Sequence, residues 1–339
     1  MSHMELSVLT GIDQALLSKY ENDKRLPSKN HIKKLGLALG DSTELRKAYL
    51  AEKVYDLVKY ENNIHEILQV AEARVEYLTS SSALILDPIS DLVKSKLTEL
   101  DLLHEQWANA KPLNQTQLLK MQEYFNVAYT YDSNKIEGNT LTLQETHLVV
   151  NEGITIGGKS MREHLEAINH QDAIDFIREM AMGKEDINPR NVLDMHQLIL
   201  KSIDTPNAGI YRKINVRISG SEHTPPEHFL LGQLMEDFHI HYERQKRVLH
   251  PVLLAAEMHE RLVSIHPFVD GNGRTARLLM NYILLKNGFT IAILKGDPQS
   301  RMDYYKSLEA VQVNNNPEPF YLLIIEKVKE SLIEHLNMV

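Results

Sequence analysis

Apolar residues along this chain recur mostly at the spacing of an amphipathic helix, and only one short segment alternates as a strand would. Residues 5–9 and 15–20 read as short helices, the first ending near Gly11. Leu26-Pro27-Ser28 interrupts the pattern before a third helix containing Ile32, Leu35, Leu37 and Leu39. From 41 to 79, Leu45, Tyr49, Val54, Leu57, Ile64 and Val75 keep the helical period between charges, predicting a long connecting helix. Ser80-Ser81-Ser82 and Asp87-Pro88 then mark a junction. Further helices are predicted over 89–103 and 115–131, with Trp107, the only tryptophan, in core or interface packing.

Start and stop signals sharpen the later boundaries. Gly138 closes one helix, and Thr142 with Glu145 opens the next as a capping box. Ser160 with Glu163 forms another box, and Asn188-Pro189 supplies a cap followed by an N1 proline. His164, His170 and His196 fall on such helices without metal-ligand spacing and read as structural or surface residues. Ile214-Asn215-Val216-Arg217-Ile218 alternates and breaks at Ser219-Gly220-Ser221, the one strand signal; Thr224-Pro225-Pro226-Glu227 predicts the next helix start. Beyond Gly288, which ends a helix, 301–313 and 317–336 read as two more. Tyr304, Tyr305 and Tyr321 are expected in the core.

The candidate chemistry lies between two strongly helical runs. Val252, Leu253, Ala256, Met258, Leu262 and Val263 precede His266-Pro267-Phe268-Val269-Asp270-Gly271-Asn272-Gly273-Arg274-Thr275-Ala276-Arg277, and Leu278, Leu279, Tyr282, Ile283 and Leu285 follow it. Helix, tight loop, helix leaves unpaired backbone N–H groups and the positive end of a macrodipole at the second helix's start. Gly271 and Gly273, lacking Cβ, let a phosphate approach the backbone. Arg274 and Arg277 share a helix face and can grip phosphate oxygens. Asp270 suits Mg²⁺, which needs few protein ligands when phosphates supply the rest, and His266 stands where a hydroxyl must lose its proton. A plain turn, or a calcium loop, would use some of these residues; the alternating acids of an EF-hand are missing.

In this order the residues match His-x-Phe-x-Asp/Glu-Gly-Asn-Gly-Arg-x-x-Arg, and the segment resembles the motif of the Fic (filamentation induced by cAMP) family. The resemblance implies a mostly helical fold that transfers AMP from ATP to a protein hydroxyl. It implies His266 as base, Asp270 as Mg²⁺ ligand, Asn272 with the Gly271 and Gly273 amides as a phosphate nest, and Arg274 and Arg277 on the outer phosphates. The intact Gly-Asn-Gly favours nucleotidyl transfer over the phosphoryl transfer of the Doc-type branch. Upstream, Ser133-Asn134-Lys135-Ile136-Glu137-Gly138 resembles the family's inhibitory motif, with Ser133 and Glu137 on one helix face. Val216, Arg217, Ile218, Ser219 and Gly220 resemble the flap hairpin that aligns a target segment by strand addition.

The N-terminal string from Leu6 to Ser28 resembles the Cro/CI (XRE) helix-turn-helix, which would place Gln14, Ala15, Ser18 and Lys19 in the major groove. The usual first helix of that domain is absent, and over residues 1–40 bases exceed acids by only two. DNA binding is therefore expected to be weak and to require dimerisation, and a unit used only for packing is the competing reading.

Composition bounds the rest. The 339 residues leave room for two or three domains; 43% hydrophobic and 24% charged content are ordinary for a soluble globular protein. Net charge −9 argues against a nucleic-acid binder as a whole. The chain has no cysteine, so disulfides and thiol catalysis are excluded and a cytoplasmic setting is expected. No signal peptide and no bilayer-length apolar run are seen, and Met1-Ser2-His3-Met4 reads as a cloning remnant without fold information. The expected architecture is all-α apart from one small hairpin, with a helix-turn-helix-like unit at 5–40, a helical connector at 41–88 and a Fic domain at 89–339. ATP and Mg²⁺, a protein substrate, self-modification, no membrane partner and a homodimer complete the expectation. Transfer of another nucleotide, removal of AMP, and nucleotide sensing by a transcription regulator without turnover are the alternatives.

Overall fold

The computed structural model describes residues 2–22, 24–40, 45, 48–49, 52, 89–110, 114–183 and 186–339; the predicted connector at 41–88 lies almost wholly outside them. The chain divides into two compact units, Met1–Ala73 and Arg74–Val339.

In the first unit, α1 (His3–Thr10), α2 (Gln14–Glu21) and α3 (Lys29–Leu39) enclose Ile12, Leu17 and Leu35, with Leu6, Leu16, Tyr20 and Leu45 packed against them. Gly11, in the left-handed region at φ 65°, ends α1 as expected. The opening residues are not inert. Ser2 caps α1 in a reciprocal box with Glu5, and His3 pairs with Glu21 at 2.6 Å. Leu37, two residues beyond Leu35, lies off the buried face and is exposed, and Leu39, the last residue of α3, is exposed as well.

The second unit contains α4 (Asp91–Asn109), α5 (Gln115–Ile136), α6 (Leu143–Glu152), α7 (Met161–Met182), α8 (Pro189–Leu200), α9 (Leu231–Gln245), α10 (Pro251–Ile265), α11 (Asn272–Lys286), α12 (Pro298–Gln312) and α13 (Glu318–Leu336). The capping boxes at Thr142/Glu145 and Ser160/Glu163 and the Asn188-Pro189 start form as the sequence indicates. At the centre stands α11, buried on nearly every residue from Asn272 to Leu284 and packed by α5, α7, α8 and α10. A helix hydrophobic all round is stable only when surrounded, and each fully buried Leu, Ile or Met here contributes about 1.5–3 kcal/mol. Asn281, buried on α11, exchanges hydrogen bonds with the backbone of Ala292 at 3.0 and 2.8 Å, fixing the chain that leads into α12.

Three expectations change. Among the described residues there is no strand. Residues 215–218 alternate in exposure as the predicted flap would, but Ile214 is exposed, and the segment turns at Ser221 N–H to Ile218 O (3.3 Å) without forming a ladder. The backbone carbonyls that a partner strand would engage are taken by the buried Arg212 guanidinium, which donates to Ile214 O (2.8 Å) and Pro226 O (2.5 Å). For the same reason Thr224–Glu227 stays extended, and helix begins only with the 3₁₀ turn at His228–Leu230. Tyr304 and Tyr321 are buried, whereas Tyr305 is exposed.

Candidate active site

The α10–α11 connection shapes the site. His266 terminates α10 in the left-handed conformation (φ 50°, ψ 56°), its N–H donating to Leu262 O at 3.0 Å, and Pro267 cannot continue a helix. A non-glycine residue held there costs of order 1–3 kcal/mol, and such strain gathers where geometry serves chemistry. The cost is offset by fixed partners: Arg212 Nε donates to His266 O (2.8 Å) and Arg212 N–H to Pro267 O (2.9 Å). His266 Nδ1 lies 3.3 Å from Val263 O, an acceptor only, so Nδ1 carries the proton and Nε2 is the basic nitrogen. Burial, with Arg212 and His223 nearby, lowers the imidazole pKa to about 4, against the Val263 hydrogen bond and Glu137, which act to raise it.

Asn272 does not offer its side chain to a ligand. It brackets Phe268, accepting from Phe268 N–H (3.0 Å) and donating to Phe268 O (2.9 Å), which closes the loop on itself. Its contribution to an anion nest is the backbone at the start of α11, where no side chain caps the first turn. Gly271 is left-handed at φ 80°, and its N–H donates to Asp270 Oδ1 at 2.6 Å.

Both arginines are buried, Arg274 to 2% and Arg277 to 1% exposure. Arg274 donates to Asp270 Oδ1 (3.2 Å), and Arg162 from α7 donates to Asp270 Oδ2 (2.7 Å) and to Glu166 (3.1 Å). Burial alone would raise the Asp270 pKa; Arg274, the Gly271 amide and Arg162 together hold it below the usual carboxylate range. Arg277 donates to Ser133 Oγ (3.0 Å), Ser133 O (2.9 Å) and Glu137 Oε1 (2.7 Å). Glu137 is the residue just after α5, whose helix runs past the predicted end to Ile136, and Gly138 follows at φ 99°. Its carboxylate lies over Gly273, so close that a Cβ there would collide with Glu137 Oε1. Arg274 Nε and Arg277 Nη1 are buried donors without a hydrogen-bond partner, the state expected of groups awaiting an anion.

The structure therefore gathers His266, Asp270, Gly271, Gly273, Arg274, Arg277, Ser133 and Glu137. The flap residues 216–220 lie on the Arg212-held segment that leads back to the loop through His223, whose Nε2 donates to Ser264 O at 2.9 Å. Gln14, Ala15 and Lys19 are exposed on α2 and Ser18 is half-buried, in the other unit. Sequence reasoning missed Arg162, Glu166 and Arg212; His196, read as structural or surface, is a buried structural residue beneath the loop. A buried arginine just before the flap pattern was the one available signal, in Gly209-Ile210-Tyr211-Arg212.

The sequence model of the Fic/DOC family matches residues 186–284. The chain is 36% identical over 214 residues to Protein adenylyltransferase Fic of Drosophila grimshawi, covering 63% of this chain and 43% of that protein. It is 30% identical over 284 residues to Protein adenylyltransferase fic-1 of Caenorhabditis briggsae, covering 80% and 55%. The chain thus spans about half the length of the curated relatives it matches. Among solved structures, a Fic-1 fragment from C. elegans superposes with TM-score 0.66 at 26% identity, covering 99% of this chain and 96% of that one. The second unit is an all-α domain of the Fic fold. The residues matched to the Fic/DOC model, 186–284, include His266 and the loop to Arg277 at the junction of α10 and α11.

Among the described residues no helix is long and apolar enough to cross a membrane.

Proposed function

We propose that this protein is a protein adenylyltransferase held back by Glu137. The observation that carries the reading is the basic Nε2 of His266, left by the Nδ1 contact to Val263 O, beside a helix N-terminus flanked by buried arginine donors that lack partners among the described residues. The hydroxyl of a protein Ser, Thr or Tyr attacks the ATP α-phosphorus; an O–P bond forms as the bond to the β-phosphate's bridging oxygen breaks. The hydroxyl proton passes to His266 Nε2, and pyrophosphate leaves. Arg274 and Arg277 and the amides at the start of α11 orient and neutralise the phosphates, so the protein contributes mainly positioning and charge.

Asp270 is the residue that would hold Mg²⁺. Mg²⁺ needs few protein ligands where phosphate oxygens supply the others. Bound there, the ion would neutralise charge on the phosphates and leaving pyrophosphate. Arg162 must then release Asp270 Oδ2, which its exposed position permits.

The test is a Glu137→Gly variant incubated with labelled ATP and a host lysate, with intact masses of the labelled proteins. A gain of AMP supports the reading; a gain of UMP or of phosphate alone replaces it with another transfer. Removal of AMP is the second reading, favoured by the 32% exposure of the Glu137 carboxylate, which would orient a water. Loss of AMP from a modified protein, abolished by Glu137→Gly, identifies it. Target, self-modification, homodimer and a cytoplasmic setting are parts of the same proposal.

The lowered pKa of His266 fixes a pH dependence. The neutral imidazole is the base, so its share falls only as pH drops through about 4. Transfer by Glu137→Gly should be flat from about pH 6 to 8, whereas an unshifted histidine near 6.5 would halve it within that window. A single-turnover pH profile decides; a midpoint near 6.5 would contradict the buried, neutral histidine.

The N-terminal unit is proposed to bind DNA weakly. With so small an excess of bases, each phosphate contact adds about one unit to the salt slope and little lasting affinity. Fluorescence anisotropy at two salt concentrations should show binding that collapses between them. Removing residues 1–40 should leave transfer intact, since every catalytic candidate lies in the second unit. Tight sequence-specific binding at physiological salt, or turnover undetectable even after Glu137→Gly, would favour a transcription regulator instead.

A further inference from the structure

Beneath the loop sits a histidine that the proposed chemistry does not use. His196 on α8 is fully buried, and its ring stacks on Phe268 at 3.6 Å between centroids and 7° between planes. Its Nδ1 accepts from Gly209 N–H at 2.9 Å, so the proton is on Nε2, which donates to Asp270 O at 2.9 Å. Burial lowers its pKa to about 4, so that tautomer is neutral at physiological pH. The ring also lies against Gly271: a Cβ there would stand 3.3 Å from His196 Cδ2 and Nε2. Phe268, Asp270 and Gly271 of the loop are all seated on this one imidazole.

The contact reaches the reacting end through one peptide plane. In a trans peptide the C=O and N–H point in opposite directions. Drawing Asp270 O down to His196 turns Gly271 N–H upward, where it meets Asp270 Oδ1 at 2.6 Å. The orientation of the Asp270 carboxylate is thereby tied to α8, in a part of the chain remote from the motif. We propose that His196 is a positioning residue: by clamping the Asp270 carbonyl it holds the Gly271 amide and the Asp270 carboxylate in one geometry toward metal-bound phosphate. The inference rests on the nucleotide-transfer reading for its purpose, but its test does not need turnover.

Two amide replacements separate positioning from packing. In His196→Gln the side-chain amide reaches the place of Nε2 and can donate to Asp270 O. In His196→Asn the shorter side chain can meet Gly209 N–H but falls short of Asp270 O. Both are made in the full chain, and ATP binding is measured by calorimetry with and without Mg²⁺, beside thermal unfolding. Metal-free ATP affinity should stay within about threefold of the parent in both. The gain in affinity on adding Mg²⁺ should persist in His196→Gln and fall by about tenfold or more in His196→Asn, and transfer measured on the Glu137→Gly background should fall with it, since small displacements of a reacting group cost ten- to hundredfold. Equal Mg²⁺ responses in the two variants, or metal-free and Mg²⁺-dependent affinities falling together with the unfolding temperature, would make His196 a core residue only. A Glu137→Gly protein that shows the Mg²⁺ response yet transfers no AMP would overturn the functional reading and leave this one standing.

Discussion

Replacement of His266 by alanine is expected to lower adenylyl transfer by two or more orders of magnitude while leaving folding and ATP binding largely intact. The loop does not depend on the imidazole for its shape. Its N–H to Leu262 O and its C=O to Arg212 are main-chain contacts that alanine retains. The left-handed backbone strains alanine much as it strains histidine, so the change adds little of its own. On the proposed reading, phosphate contacts belong to Arg274, Arg277 and the start of α11, so ground-state binding has no reason to fall. The proton acceptor is what disappears, and a positioned general base contributes about 10²–10⁴-fold. Transfer assays on the Glu137→Gly background, with calorimetric ATP binding alongside, check both halves. Near-normal transfer would remove His266 from the mechanism.

Much of this site is legible in one contiguous run because a helix N-terminus needs its phosphate-binding parts close in sequence. His266 to Arg277 supplies base, carboxylate, amides and guanidinium groups without help from the rest of the fold. Glu137 is readable only through the resemblance of Ser133 to Gly138 to the family's inhibitory motif; the four-residue spacing adds that it shares a helix face with Ser133. The supporting residues carry no such signature. Arg162, Glu166, His196 and Arg212 lie on α7, α8 and the segment after α8, and only packing around α11 brings them to the loop. The flap shows the opposite failure. Its alternation of exposure holds only over residues 215–218, yet alternation does not say what satisfies the backbone, and the Arg212 side chain takes carbonyls there in place of a second strand. Asn272 likewise reads as a ligand group by its place in the motif, whereas its amide is spent on Phe268.

Glu137→Gly is expected to raise adenylyl transfer strongly, most visibly as self-modification, and adding Arg277→Ala should abolish the gain. Glu137 Oε1 is 2.7 Å from an Arg277 Nη2 that also donates to Ser133 O, and the carboxylate rests over Gly273 at the first turn of α11. It therefore occupies the field in which a terminal phosphate would be held: the positive helix end and the buried guanidinium. The pair is strong. Burial alone would lower the Arg277 pKa, yet Glu137 raises it above the ordinary value. A γ-phosphate must either displace this charge-assisted contact or bind beside it. Binding beside it shifts the α-phosphorus relative to His266, and a shift of about an ångström costs on the order of a hundredfold in rate. Glycine removes the competing carboxylate, and its freedom at the helix end suits the turn into Gly138, so the gain should come without loss of fold. Arg277→Ala then takes away the guanidinium that the phosphate would have regained, leaving ATP bound less tightly and misaligned. Incorporation of labelled AMP into the protein itself, compared across parent, single and double variants, reads all of this. A Glu137→Gly protein no more active than the parent on any substrate would sink the idea, and a double variant as active as the single one would free Arg277 from the role given to it.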